Sequence, residues 1–337
     1  MRFVTFQTPA ESSSSAPRLM RVGLHIGTLG KGIIVDVAAS FQKLQYSPSP
    51  ATVREVVEKP DLFMQKLREV QKQAESGKLS GETILHPENQ VILHSPIPRP
   101  LSMRDGYAFR QHVEAARRNR GVEMIPEFDH FPVFYFTNHL AVTGPGEIRV
   151  NKLARDKLDF ELEAAIVTGK TGRDISAKDA DDYIFGYMIM NDWSARTLQI
   201  EEMKLNLGPA KGKDFATSLG PYLVTRDELT PKLVTGEKGE RFDLGMKCYV
   251  NGIQVSNGNL KDMSWTFGQI LERVSYGVTV YPGEVIGSGT VGTGCFLELN
   301  GSKITDNQWL KPGDEVVLEI EGLGRLVNKI GAPNPDV

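Results

Sequence analysis

Four acidic residues suggest chemistry before anything else does. In Leu158-Asp159-Phe160-Glu161-Leu162-Glu163-Ala164-Ala165-Ile166-Val167, an extended backbone turns Glu161 and Glu163 to one face and Phe160, Leu162 and Ala164 to the other. A solvated strand face is the ordinary fate of such a Glu-X-Glu step. The run into Ala-Ala-Ile-Val argues for burial instead, and paired buried carboxylates need a counter-ion. Asp192 ends the apolar run that begins at Tyr183, and Asp105 precedes a predicted helix; each also reads as a helix N-cap. Gathered together, Asp105, Glu161, Glu163 and Asp192 would make an all-oxygen cage for a hard divalent ion, Mg²⁺ or Ca²⁺, with Mn²⁺ as a further candidate. Zinc calls for histidine or cysteine, and no suitably spaced pair is present. One divalent ion does not neutralise four carboxylates, so a nearby cation is expected, and Lys213 is the best candidate.

The elements that must hold these acids fall into two stretches. Residues 1–95 read as a small N-terminal α+β unit. Short strands are expected around Val22–Ile26 and Ile33–Val35, and a helix from Asp61 places Phe63, Leu67, Val70 and Ala74 at helical spacing. The Ser-rich stretch Glu11–Ala16 reads as a surface loop. Pro96, Pro98 and Pro100 make a stiff connector. Residues 96–337 form the larger unit, with strands predicted at Pro132–Phe136, Phe160–Val167, Tyr183–Met190, Lys247–Val255, Val285–Ile286, Cys295–Leu299 and Glu315–Ile320. Helices are fewer, at Gly106–Arg118, Ala177–Asp182 and Trp265–Val274. This pattern predicts a β-dominated α+β fold.

Bulk composition excludes several classes. Among 337 residues, 40% are hydrophobic and 24% charged, which suits a globular core. A net charge of −3 gives no reason to expect nucleic acid or an anionic membrane as partner. Cys248 and Cys295 are the only cysteines, which argues against a disulfide framework. The first residues read as a strand rather than a signal peptide, and no apolar run is long enough to span a bilayer, so a cytoplasmic enzyme is expected. The glycines Gly287, Gly289, Gly292 and Gly294 precede no convincing helix, so a dinucleotide-binding loop is rejected.

Several motifs in chain order carry a resemblance. They are Asp159-Phe160-Glu161-Leu162-Glu163, Met190-Asn191-Asp192-Trp193-Ser194-Ala195-Arg196, Gly212-Lys213-Asp214-Phe215, Tyr281-Pro282-Gly283-Glu284, Gly287-Ser288-Gly289-Thr290-Val291 and Pro312-Gly313-Asp314-Glu315. Over roughly residues 97–329 the chain resembles the fumarylacetoacetate hydrolase family. Arg104-Asp105-Gly106-Tyr107-Ala108-Phe109-Arg110-Gln111-His112 is closer to its fumarylacetoacetase branch than to its acylpyruvase branch.

The resemblance implies a mixed β-roll or barrel in the C-terminal domain, a smaller N-terminal domain and a homodimer. It assigns Asp105, Glu161, Glu163 and Asp192 to the metal, His112 to the general base and Glu298 to the acid that orients it. Lys213 and Gln199 match polar groups of the reaction centre; Tyr107, Tyr135 and Thr290 match substrate contacts; Thr217 falls beside the metal. The family's substrate arginine falls near Arg120 without an exact match, so Arg117, Arg118 and Arg120 remain alternatives. The implied reaction is metal-dependent hydrolysis of a carbon–carbon bond in a small β-diketo acid, fumarylacetoacetate-like or acylpyruvate-like. An imidazole titrates nearest neutrality and suits removal of a proton from water. A metal-dependent decarboxylase, hydratase or isomerase of 2-oxo acids is the alternative on the same fold.

Overall fold

The computed structural model describes residues 1–9, 20–119, 121–236 and 238–332. The Ser-rich stretch Glu11–Ala16 and Arg120 lie outside the described residues. The molecule is strand-dominated and built on one twelve-stranded mixed sheet. Its centre is the strand Leu162–Thr168, antiparallel on one side to Ile184–Asp192 and on the other to Val285–Gly287. Beyond Ile184–Asp192 comes Thr217–Thr225, and then the N-terminal strand Arg2–Gln7, so the first residues of the chain extend the same sheet. Beyond Val285–Gly287 come Met103–Gly106, running parallel to it, and the edge strand Phe134–Phe136. The sheet is open, and no closed barrel forms among the described residues. A second sheet of five strands carries the C-terminal hairpin Glu315–Ile320 and Gly324–Ile330.

Alternation along the central strand divides the core. Ala164 and Ile166 face one apolar cluster with Phe160, Trp193 and Phe296. Ala165 and Val167 face the other, with Met188, Met190, Met103 and Phe63. Both faces are covered, which is why this strand is nearly all apolar rather than alternating. The helix Pro60–Glu75 starts on a proline, where no amide is needed, and buries Phe63, Leu67, Val70 and Ala74 at the expected spacing. Thr266 and Gln269 form a capping box that starts the helix Phe267–Ser275. No described helix is long and apolar enough to cross a membrane.

Two local expectations are corrected. The stretch Cys295–Leu299, read as a strand, belongs to the helix Phe296–Gly301. Its apolar residues suit either element, and what selects the helix is distant: the Asp159 carboxylate accepts the N–H groups of Phe296 and Leu297 at 2.8 and 2.9 Å. An acid at these exposed amides does the work of an N-cap side chain. The strand predicted over Phe160–Val167 begins at Leu162, because the backbone breaks from the ladder at Phe160 and Glu161.

Candidate active site

Neighbouring strands deliver the acids to one place. Asp105 lies opposite Gly287 on one side and Tyr135 on the other. Two strands further, Glu163 pairs with Met190, and Asp192 closes the next strand opposite Thr217. Gly287 makes the gap: a Cβ there would overlap Asp105 Oδ1 and come within 2.8 Å of Met190 Sδ. The Asp105 carboxylate occupies that space and accepts the Gly289 N–H at 3.1 Å.

One carboxylate oxygen from each of Asp105, Glu161 and Glu163 lies within 4.8 Å of the others, and all three residues are buried. Asp192, fully buried, joins them through Lys213, whose Nζ donates to Glu161 Oε2 at 2.6 Å and to Asp192 Oδ2 at 2.8 Å. Neither Asp105 nor Asp192 caps a helix: Asp105 is the penultimate residue of its strand and Asp192 the last of its own. Tyr135 Oη also donates to Asp192 Oδ2. Thr290 Oγ1 donates to Glu163 Oε1 at 3.4 Å. Thr217, buried, pairs with Asp192 across the sheet.

Electrostatics divide the cluster in two. Burial pushes Glu161 up, but Lys213, Arg196 and His112 outweigh it and hold the carboxylate at about 2. Burial and the charge of Asp192 carry Asp105 from an ordinary 3.8 to about 7. Burial and Asp105 push Glu163 well up. Burial pushes Lys213 down, but Asp192 and Glu161 outweigh it and keep the ammonium charged. Asp105 and Glu163 lie side by side, each unfavourable to the other's charge, and must share a proton or accept a cation. Glu163 Oε2 and Asp192 Oδ1 are buried without a hydrogen-bond partner among the described residues. Buried oxygens of this kind are costly unless something positive satisfies them. The donor set is oxygen only, and the grouped carboxylates of Asp105, Glu161 and Glu163 suit a hard divalent ion, with Asp192 beside them on Lys213.

Beside the cluster stands a second pair. His112, on the helix Arg110–Asn119, brings Nδ1 within 2.7 Å of Glu298 Oε2, 186 residues away in sequence. The other oxygen, Oε1, accepts the Thr293 N–H at 2.9 Å. A carboxylate only accepts, so the ring nitrogen facing it carries a proton, and in the neutral ring Nε2 is the nitrogen with the free lone pair. The Tyr107 ring stands edge-on to His112, with centroids 5.9 Å apart. Gln199 sits elsewhere in the arrangement: its Oε1 accepts from Arg196 Nη1 at 2.9 Å.

Two residues that sequence reasoning passed over complete the site. Arg196 is only 2% exposed and donates to Asp159 Oδ2 and Glu161 Oε1, both at 2.8 Å. Asp159 is fully buried and ties Arg196 to the helix that carries Glu298. The sequence carries a signal for both, since Asp159 shares the parity of Glu161 and Glu163, and Arg196 ends the motif that begins at Met190. The fold also brings Cys295 to His112 and Glu298, with one N, one S and one O atom within 4.8 Å of one another. In the sequence no histidine or cysteine pair is suitably spaced for zinc; the fold brings one of each together.

The family described as Fumarylacetoacetate (FAA) hydrolase C-terminal matches residues 102–331. Oxaloacetate tautomerase YisK of Bacillus subtilis is 30% identical over 307 residues, covering 88% of this chain and 93% of its own. The fumarylacetoacetase of Oryza sativa is 35% identical over 198 residues, covering 48% of this chain and 46% of its own. A crystal structure of maleylpyruvate hydrolase from Sphingobium sp. SYK-6, in complex with manganese(II) ion and pyruvate, superposes with a TM-score of 0.67 at 21% identity. That match covers 99% of this chain and all of the other.

Proposed function

Because the chain belongs to the fumarylacetoacetate hydrolase family, we propose that it is a metal-dependent enzyme that hydrolyses a carbon–carbon bond in a small β-diketo acid. The observation that carries this reading is the buried His112–Glu298 pair, 2.7 Å apart, beside a cluster of acids with unsatisfied oxygens. A divalent ion held by Asp105, Glu161, Glu163 and Asp192 would supply Lewis acidity to a dicarbonyl; Mg²⁺, Ca²⁺ or Mn²⁺ suits the donors.

His112 Nε2 takes a proton from water, and Glu298 holds the ring and stabilises the imidazolium that forms. The water oxygen bonds to the carbonyl carbon, and the carbon–carbon bond breaks with its electron pair passing to the adjacent carbon. The imidazolium returns its proton to that carbon, so an acylpyruvate and water give a carboxylic acid and pyruvate. The Lys213 ammonium offsets negative charge that develops near Glu161 and Asp192. Tyr107, Tyr135, Thr290 and Arg120 are proposed to contact substrate, and Gln199 to act through Arg196.

A second reading has its own support, since a relative matched over most of its length is named an oxaloacetate tautomerase. In that reaction His112 moves a proton between carbon and oxygen of a 2-oxo acid, and no bond between carbons breaks. Purified protein with Mg²⁺ or Mn²⁺ is offered an acylpyruvate and oxaloacetate in turn. Release of pyruvate from the first supports hydrolysis; enol–keto interconversion of the second, without cleavage of the first, supports tautomerisation. His112→Ala is expected to lower the rate by about 10²–10⁴-fold, and full activity of this variant would remove His112 from the mechanism. A homodimer is also proposed, supported by the exposed Val133 and Phe136 (50% and 65%), and a solution mass of one chain would reject it.

A further inference from the structure

We propose that His112, Cys295 and Glu298 form a second metal site that takes Zn²⁺, and that zinc bound there removes the base from the reaction. The three residues offer one nitrogen, one sulfur and one oxygen within 4.8 Å, and all are buried. They come from the helix Arg110–Asn119 and from the start of the helix Phe296–Gly301, elements packed on each other.

Zinc binds Cys sulfur, His nitrogen and carboxylate oxygen, and three protein ligands with a fourth position left for solvent are a recurring zinc arrangement. The neighbouring carboxylate cluster holds oxygen donors only. Ligand softness therefore separates the two sites: Mg²⁺ or Ca²⁺ belongs with the acids, and zinc with the thiolate and imidazole. Burial, Asp159 and Glu161 push the Cys295 thiol well up, against the opposing pull of Arg196 and the Glu298 N–H, so the thiolate forms only with the ion. On binding, the Cys295 S–H bond breaks, a Zn–S bond forms and the proton leaves to solvent. His112 gives a ring-nitrogen lone pair and Glu298 a carboxylate oxygen, with no oxidation or reduction. The 2.7 Å contact between His112 Nδ1 and Glu298 Oε2 is given up to the ion.

The test uses the full chain with saturating Mg²⁺ and Cd²⁺ as the spectroscopic probe. Cd²⁺ is titrated while ultraviolet thiolate-to-metal charge-transfer absorption is followed. Wild type and Cys248→Ser are expected to develop the band with one equivalent per chain, and Cys295→Ser to lack it. In parallel, the Zn²⁺ concentration giving half-inhibition is expected to rise about tenfold or more in Cys295→Ser, with Mg²⁺-supported turnover unchanged. Serine is favoured at this helix N-cap position, and Cys295→Ala serves as a second variant with the same expectations. A wild-type protein without the band, or a Cys295 variant that keeps the band or the zinc sensitivity, overturns the site. The Cd²⁺ band does not depend on which reaction the enzyme catalyses, so failure here is distinguishable from failure of the proposed function.

Discussion

Asp159 is bound on three sides by groups that would otherwise be orphaned: the Arg196 guanidinium, the amides of Phe296 and Leu297, and the N–H of Phe160. It links the counter-ion of Glu161 to the helix that presents Glu298. Asp159→Ala leaves a buried arginine half-paired and two helix amides bare, and is expected to cost about 3–5 kcal/mol in urea unfolding. Asp159→Asn, which keeps an acceptor, should lose less. A second residue-scale expectation concerns Asp105. Its folded value of about 7 lies above the ordinary 3.8, so between these values the folded protein binds more protons than the unfolded chain. The metal-free protein therefore loses this group's contribution as pH rises through that window. A divalent ion must displace the same proton, so Mg²⁺ or Mn²⁺ affinity should increase from pH 6 to pH 8. Calorimetric titration with proton release measured in two buffers checks this; affinity that does not change with pH would contradict it.

Elements place these residues through strand register. Asp105, Gly287, Glu163 and Asp192 meet because adjacent strands end together, and Gly287 leaves the space that the Asp105 carboxylate fills. Arg104, next in the same strand, is pinned by Glu284 and by Ser102 Oγ at 2.9 Å, which holds the strand beside Val285–Gly287. Gly287→Ala forces Asp105 or the strand to shift, an overpacking cost of about 1–3 kcal/mol. The expected result is a loss of divalent-ion affinity with the circular-dichroism spectrum retained; unaltered affinity would mean that the gap plays no part. At this scale a short apolar segment was ambiguous. Cys295–Leu299 carries no period that separates strand from helix, and the deciding contact comes from Asp159, far away in sequence.

At the scale of the whole molecule, the N-terminal residues are joined to the sheet that carries the acids. Arg2–Gln7 pairs with Thr217–Thr225, the strand whose start lies opposite Asp192. Glu88, buried, accepts from Tyr222 Oη and from the Gly32 N–H at 3.0 Å, and lies 3.1 Å from His25 Nε2. Tyr222 also accepts the Gly30 N–H at 3.0 Å. Tyr222→Phe leaves a buried acceptor and a turn amide unmet and is expected to cost about 1–3 kcal/mol, read as a lower urea midpoint. Burial pushes Glu88 up, but His25, Tyr222 and the Gly32 amide outweigh it and hold the carboxyl below its ordinary 4.5. The folded state then binds fewer protons than the unfolded chain. This contribution is present above pH about 4.5 and is lost as pH falls through the folded value. Thermal unfolding of Glu88→Gln should fall less steeply with acid than wild type; equal slopes would remove Glu88 from the acid response.

The sequence by itself determined which acids exist, that Glu161 and Glu163 share a face, that the fold is strand-rich, and which family the ordered motifs belong to. These follow from local rules: the period of two in strands, helical spacing from Phe63 to Ala74, and the donor chemistry of each side chain. Tertiary structure decided the rest. It placed Arg196 on Glu161, turned Cys295–Leu299 into a helix under Asp159, and carried Cys295 to His112. Each of these depends on groups far apart along the chain meeting in a buried, low-dielectric space. Their mutual stabilisation exists only once the sheet has brought them together.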